Sequence, residues 1–174
     1  MIAVAVQCGD QWADRENWEE LAQKAVDQAI RQTPYAELAS QPWAVEVSVK
    51  LTDNPEIQQL NAAYRDKDKP TNVLSFPMVQ PDMLATLSNS DDGEVLLGDI
   101  VLAHDVCRAE ADEKSISVPD HATHLIVHGT LHLLGYDHET GEAEAEAMEA
   151  LEKAALAALG IADPYQPVVN LNEV

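Results

Sequence analysis

Residues 119–134 encode a helix that is apolar almost all round. Leucine, isoleucine and valine occupy most directions around its axis, so the helix has to lie in the interior of the protein. His128 and His132 are four residues apart and therefore point the same way from consecutive turns. Any fold of this chain must consequently place a face that carries histidines beside a polar space inside the molecule.

A metal site is the most specific interpretation of these histidines. Gly135 ends the helix and lets the chain turn back, so His138 can reach the point that His128 and His132 face. Three imidazoles at this spacing, with a fourth position open to water, are typical of catalytic zinc. The sequence predicts one Zn²⁺ per chain, although imidazole suits other divalent transition metals as well. The alternative is a set of core histidines that are hydrogen-bonded to their neighbours.

Other polar residues lie close to this motif. His121 falls within about 40° of His128 and His132 on a helix of 3.6 residues per turn, and we predict that His121 and His124 orient the ligands or line the pocket; the alternative is simple packing. The carboxylate of Asp137 is placed to accept the second N–H of an imidazole, or it faces solvent in a turn. The acidic residues of 139–153 are expected to form a first-turn cluster and a solvated helix face.

Gly129 stands where a metzincin protease has the glutamate that activates water. A metal-bound water can reach a pKa of about 7 without a protein base, so the absence of that glutamate need not abolish hydrolysis. The departing amine of a peptide, however, loses its proton donor. A phosphodiester depends more on a cation that neutralises the charge on the phosphoryl oxygens. The motif therefore favours a phosphodiester substrate and directs attention to an arginine.

The only cluster of positive charge in the chain consists of Arg65, Lys67 and Lys69. The whole chain has 10 basic and 31 acidic residues and a net charge of -21, which excludes sequence-independent nucleic-acid binding by the whole surface. Arg65 is the preferred phosphate ligand because a guanidinium binds phosphate oxygens bidentately. Lys67 and Lys69 are RNA-binding candidates, with a solvated charged turn as the alternative.

The remaining patterns predict an α+β fold. Residues 43–51 alternate as a half-buried strand does, and the nearly all-apolar segment 95–103 is typical of a central strand. Proline cannot donate to a strand ladder, so the segment 71–77, between Pro70 and Pro77, is expected at a sheet edge. We expect a small mixed sheet with this edge strand near the metal site, and about five packed helices. Residues 1–174 are predicted to form a single domain, in which 160–174 is an irregular tail.

The cellular compartment is predicted from the absence of a secretory signal and of a membrane-spanning stretch in the sequence. The N-terminus has no basic region ahead of its apolar run, and no apolar stretch approaches the roughly 20 residues that span a bilayer. Cys8 and Cys107 are expected to be reduced, mostly buried thiols. We therefore expect a cytoplasmic protein with no membrane partner.

Taken together, three motifs resemble the YbeY family of bacterial endoribonucleases, also called rRNA maturation factors. They are LNAAYRDKDKPTNVLSFP (60–77), LLGDIVLA (96–103) and HLIVHGTLHLLGYDH (124–138). The resemblance runs from about residue 43 to 165 and leaves out the first 40 residues and the segment 80–94. It implies a metalloprotease-like α+β fold with a zinc-binding core. It also implies that His128, His132 and His138 are zinc ligands and that Arg65 and His128 are the residues tied to activity.

The resemblance also implies a function. It is metal-dependent, single-strand-specific RNA cleavage in small-subunit rRNA maturation and ribosome quality control, with zinc-bound hydroxide or the substrate's 2′-hydroxyl as nucleophile. The implied partners are rRNA and the small ribosomal subunit, with a ribosomal protein or an assembly GTPase as protein partner. Two alternatives stay open: a metzincin-like metallopeptidase, and a non-enzymatic ribosome assembly factor with a structural metal.

Overall fold

The computed structural model of the chain describes residues 1–12, 16–40, 44–80, 83, 94–137 and 141–165. Within these ranges it contains four strands and five α-helices. Two short 3₁₀ turns, Asp10–Trp12 and Ala36–Ser40, lie between them. In chain order the elements are β1 (Ile2–Cys8), α1 (Trp18–Arg31), β2 (Ala44–Thr52), α2 (Asn54–Arg65), β3 (Val73–Pro77), β4 (Glu94–Ala103), α3 (His104–Lys114), α4 (Val118–Leu133) and α5 (Glu142–Ala158).

The four strands form one mixed sheet in the order β1-β2-β4-β3. β1, β2 and β4 run parallel, and β3 pairs antiparallel with β4 at the edge. The predicted α+β class, the edge position of the segment between the two prolines and the central position of 95–103 are thus confirmed. The predicted 80–94 loop lies almost entirely outside the described residues, as do His138 and residues 166–174 of the tail.

Both faces of the sheet are covered, but unequally. The alternating residues Val45, Val47, Val49 and Leu51 of β2 are buried in the main core, to which α1, α4 and α5 also contribute. On the other face, α2 covers a smaller cluster in which Ile57 packs on Leu74 and Val101. The period-2 alternation of β2 was sufficient to predict which of its side chains are buried.

Helix α4 lies in the interior, as its composition predicts. Eleven of its 16 residues are buried, and it contacts α1, α5, β3 and β4. The side chain of Ser117 caps its N-terminus by accepting a hydrogen bond from the backbone N–H of Asp120. Pro119 occupies the first turn, where its missing N–H costs nothing.

The C-terminal end of α4 is a Schellman motif built on Gly135. Gly135 has φ 95°, a conformation that glycine adopts without strain. Its N–H donates to the carbonyl of His132, and the N–H of Tyr136 donates to that of Leu131. This turn reverses the chain directly after the histidine-bearing segment, so residues 136 and 137 lie back beside His132.

Gly129 is where α4 lies closest to the sheet. A Cβ atom added to Gly129 would lie 2.9 Å from Cγ2 of Ile100, on the central strand β4. The glycine therefore has a packing function in addition to its position after His128. For the same reason a glutamate at this position cannot be introduced without displacing Ile100.

We expect Gly129→Ala to destabilise the fold by about 1–2 kcal/mol. Overpacking against Ile100 costs roughly 1–3 kcal/mol, and the better helix propensity of alanine recovers only part of it. Urea unfolding of Gly129→Ala, Ile100→Ala and the double variant measures the coupling. The double variant should be more stable than the sum of the single effects predicts, because Ile100→Ala makes room for the new methyl group. Strict additivity would show that the contact is unimportant.

Two further expectations concern the cysteines and membrane-spanning helices. Cys8 and Cys107 are both free thiols, but only Cys107 is buried; Cys8 is exposed, so the prediction of two mostly buried cysteines was wrong for it. Cys8 is the last residue of β1, where the strand leaves the packed part of the sheet. Among the described residues, no helix combines the length and apolarity that crossing a membrane requires.

Candidate active site

A cleft of about 500 Å³ opens beside the histidine-bearing face of α4. Its walls come from α2 and the turn that follows it, from β3, α3, α4 and α5, and from Tyr165. His128 and His132 line this cleft together with Arg65, Lys67 and Lys69. The two motifs singled out in the sequence, 60 residues apart along the chain, therefore face the same space.

The rings of His128 and His132 converge on one point. Their Nε2 atoms are 3.0 Å apart, and the ring planes are inclined at 82°. Nδ1 of His128 lies 2.8 Å from the Glu152 carboxylate, and Nδ1 of His132 lies 2.8 Å from the carbonyl oxygen of Tyr136. Both acceptors require an N–H at Nδ1, so in the neutral form of each ring Nε2 presents a lone pair towards the other.

This arrangement fits a bound cation. Two lone pairs that face each other at this distance repel unless a positive centre lies between them. Two imidazole nitrogens bound at about 2.0–2.1 Å to one zinc ion lie roughly 3.3 Å apart at a tetrahedral angle, close to the observed separation of the Nε2 atoms. The acceptors at Nδ1 are of the type that fixes metal-binding histidines. The described residues contain two of the three predicted ligands and no group of three metal-binding side chains.

Glu152 holds His128 in this orientation. It comes from α5, is only 1% exposed, and accepts hydrogen bonds from Nδ1 of His128 and from Nε2 of His124, at 2.8 and 3.1 Å. The expectation that the acidic residues of 139–153 form a solvated face was wrong for this residue. Glu152 lies one helical turn beyond the buried Met148, and the carboxylate is buried because three donors satisfy it.

Tyr165 supplies the third donor. Its hydroxyl donates to the second oxygen of Glu152 at 2.7 Å, which brings a residue of the predicted irregular tail into the cleft. Burial raises the pKa of Glu152, but the hydrogen bonds from His124 and His128 outweigh this and set it at about 2. Burial and the neighbouring carboxylate raise the pKa of Tyr165, so the tyrosine remains a donor. Burial also lowers the pKa of His124, which favours its neutral form.

The positive side of the cleft is the turn after α2. Asp66 ends α2 in the left-handed conformation, with φ 56°. Two side chains of α2 hold the turn against the helix. The buried Asn61 donates a hydrogen bond to the carbonyl of Lys69, and Gln58 donates one to the carboxylate of Asp68. Arg65, Lys67 and Lys69 are exposed and line the cleft, and none forms a salt bridge with a described residue. Lys114 joins them, so four of the nine basic residues that the structure describes face this space.

The other predicted site residues lie nearby. His124 contacts Glu152 beside His128 and therefore belongs to the same hydrogen-bonded group. His121 lies three residues before His124 on α4 and also lines the cleft. It forms a hydrogen bond with Glu110 on α3 and not with the His128–His132 pair. Asp137 is half-buried and lines a smaller cavity of about 230 Å³ with Arg65 and His132. Its predicted function as an acceptor for an imidazole stays a prediction, as does the function of His138 as a ligand.

The polar residues of the cleft that were missed in the sequence include Asn72, Glu110, Glu152 and Tyr165. A signal existed for Glu152, because it lies four residues after the apolar Met148 and therefore on the same face of the helix. No such signal marked Asn72, Glu110 or Tyr165. They reach the cleft through contacts between segments that lie far apart along the chain.

The fold and the cleft define a class of protein: a small α+β domain whose histidine pair and exposed cations are suited to an anionic ester. Comparison with known proteins agrees. The family model of Endoribonuclease YbeY matches residues 5–160. Proteins of that name from Rhizorhabdus wittichii and Sphingopyxis alaskensis are 62% and 56% identical over 165 residues, 95% of this chain and 97% and 98% of theirs. The chain belongs to the YbeY family of endoribonucleases.

The fold also matches a solved structure. The solution structure of TM1509 from Thermotoga maritima aligns over 98% of this chain and 99% of that one, with a TM-score of 0.53 and 22% sequence identity. At this identity the likeness concerns the fold alone. It agrees with the arrangement of the mixed sheet and helices described above.

Proposed function

We propose that this protein is a metal-dependent endoribonuclease that cuts single-stranded RNA, with one zinc ion held by His128, His132 and His138. The observation that carries the proposal is the shared cleft. Two imidazoles with fixed Nδ1 protons face the same space as an exposed arginine and three exposed or half-buried lysines. Membership of an endoribonuclease family supports RNA as the substrate.

The residues of the cleft have separable tasks in this proposal. When bound, the zinc ion supplies a Lewis acid and lowers the pKa of water at the reacting phosphate. Glu152 and the carbonyl of Tyr136 keep the protons of His128 and His132 on Nδ1, so that both Nε2 atoms remain ligands. Arg65 binds two oxygens of the scissile phosphate and offsets the negative charge that grows on them during the reaction.

The biological setting we propose is small-subunit rRNA maturation and ribosome quality control in the cytoplasm. A chain with a net charge of -21 repels RNA at long range, and within the described residues the basic cluster of Arg65, Lys67 and Lys69 lies in this cleft. Affinity for free RNA should therefore be weak and should fall steeply as salt rises. We propose that the small ribosomal subunit, through a ribosomal protein or an assembly GTPase, places the RNA in the cleft.

Cleavage of defined oligonucleotides tests the proposal. Purified protein should cut single-stranded RNA, spare the same sequence in a duplex, and leave unstructured peptides intact. RNA with one 2′-deoxy sugar at the cleaved position separates the two nucleophiles. Continued cleavage there shows attack by water, and its loss shows attack by the 2′-hydroxyl. Robust peptide cleavage, or intact RNA at every metal tested, would contradict the proposed function.

A further inference from the structure

A second group of polar residues lies in the cleft away from the two converging imidazoles. Asn72 precedes β3, Glu110 lies on α3 and His121 lies on α4, so three separate elements bring one side chain each. Asn72 donates to both carboxylate oxygens of Glu110, at 3.0 and 3.3 Å, and Nε2 of His121 lies 2.9 Å from Oε1. We call these three residues the Glu110 cluster.

The Glu110 carboxylate is fixed in place. The amide oxygen of Asn72 accepts from the backbone N–H of Val73 at 2.7 Å, which turns the amide nitrogen of Asn72 towards Glu110. His121 is 1% exposed, and its Nδ1 is buried with no hydrogen-bond partner among the described residues. Its ring proton therefore lies on Nε2, where it points at the carboxylate.

Glu110 keeps hydrogen-bonding capacity on its open side. Oε1 accepts two hydrogen bonds, whereas Oε2 accepts only the longer one from Asn72 within the described structure. The side chain is 32% exposed and lines the cleft. Burial raises the pKa of Glu110, but the hydrogen bonds from His121 and Asn72 lower it overall. The cleft thus contains a fixed, ionised group that only accepts hydrogen bonds.

The Glu110 cluster is too far from the histidine pair to act on the same atoms. His121 and His128 are seven residues apart on α4, which corresponds to about 10.5 Å along the helix axis. A single-stranded RNA whose phosphate lies between Arg65 and His128 would place a neighbouring nucleotide at Glu110. A carboxylate there repels phosphate oxygens but accepts the 2′-hydroxyl or an N–H of a base edge.

We propose that Glu110, held by Asn72 and His121, forms a nucleotide subsite that accepts a hydrogen-bond donor from a nucleotide flanking the cleaved bond. This proposal rests on the proposed endoribonuclease function and adds a selectivity to it. Lys114, one helical turn after Glu110 and also in the cleft, offsets the repulsion between Glu110 and the RNA backbone. The donor is a ribose 2′-hydroxyl or a base N–H, and the two are separated experimentally.

Glu110→Gln is the informative substitution. Glutamine has the same shape and keeps an oxygen for Asn72 and His121, but it presents an N–H₂ donor to the cleft where the carboxylate was an acceptor. Glu149→Gln is the matched control, because Glu149 lines the same cleft and its replacement removes the same charge. Glu110→Asp keeps the charge but draws the carboxylate back by one methylene group, so it serves if Glu110→Gln folds poorly. Thermal unfolding checks all three variants.

The measurement is internal competition between single-stranded RNAs cleaved by the metal-loaded, full-length protein. One series carries a single 2′-deoxy sugar at successive flanking positions, and the nucleotide that supplies the 2′-hydroxyl at the cleaved bond stays unmodified. The other series carries single base analogues that lack one N–H donor, such as inosine for guanosine. The wild type should lose kcat/KM on the order of 10-fold at one flanking position of one series. The series in which kcat/KM falls identifies the donor as the ribose 2′-hydroxyl or as a base N–H.

Glu110→Gln and Glu110→Asp should abolish this discrimination, and Glu149→Gln should retain it. If Glu110→Gln discriminates as the wild type does, or if no flanking donor matters to the wild type, the subsite is wrong while the nuclease function stands. If the wild type cleaves no RNA at all, the proposed function fails and the subsite falls with it. A uniform loss of rate on every RNA in the folded Glu110→Gln protein would also overturn the proposed selectivity.

Discussion

Replacing Arg65 by alanine is expected to lower RNA cleavage by about 10²–10³-fold, the usual cost of removing one group that stabilises developing charge. The fold should be unaffected, because Arg65 is exposed at the last residue of α2 and forms no salt bridge with a described residue. The loss should appear in kcat/KM under single-turnover conditions, with unchanged metal content and unchanged thermal unfolding.

Two further variants show whether the guanidinium itself matters. Arg65→Lys keeps the charge but loses bidentate binding, so its activity should lie between those of the wild type and Arg65→Ala. Arg108→Ala removes an exposed arginine of α3 that does not line the cleft and should cleave as the wild type does. Equal activity of Arg65→Ala and Arg108→Ala would remove Arg65 from the mechanism.

Glu152→Gln is expected to weaken zinc binding by about 10–100-fold, the range seen when the partner of a metal-binding histidine is replaced. The carboxylate accepts three hydrogen bonds, and glutamine can satisfy only part of this set because its amide nitrogen is a donor. The amide oxygen can still accept from His128, but it carries no charge, so the bond that favours the tautomer with a free Nε2 becomes weaker. Competition with a fluorescent chelator measures the affinity directly, without reference to catalysis.

The neighbouring Glu149→Gln variant is the control for Glu152→Gln. Glu149 lies on the same helix and lines the same cleft, but within the described structure the carboxylate at Nδ1 of His128 is that of Glu152. Its zinc affinity should match that of the wild type. Glu152→Ala, which removes the buried carboxylate that His124, His128 and Tyr165 share as an acceptor, should additionally lose about 3–5 kcal/mol of stability. Wild-type zinc affinity in Glu152→Gln would show that Glu152 serves only the fold.

The sequence was most informative where the cause of structure is local. The apolar composition of α4, its end at Gly135 and the prolines that flank β3 each act within a few residues, and each led to a correct prediction. The common location of Arg65 and the histidines followed from the resemblance to a family and not from periodicity. The structure gives the physical reason why Arg65 and the histidines lie together. Strand β3 follows the basic turn and pairs with β4, and α4 packs on both strands.

The missed residues depend on tertiary contacts. In the sequence, Glu152 looks like one more acid in an acidic helix. It is buried because His124, His128 and Tyr165, which belong to other segments, form hydrogen bonds with its carboxylate. Gly129 was interpreted through the glutamate that is absent there. Its contact with Ile100 across the helix–sheet interface is a second reason for glycine, and no pattern in the sequence reveals it.

The most direct test is the metal content and RNA cleavage of the wild type and of His132→Ala, prepared side by side. His132 contributes one of the two converging Nε2 atoms, and its half-buried side chain leaves the packed core intact when it is shortened. The wild type should contain one zinc ion per chain and cut single-stranded RNA, and folded His132→Ala should have neither property. A His132→Ala protein that keeps both its metal and its cleavage would contradict the claim that these imidazoles bind the catalytic cation.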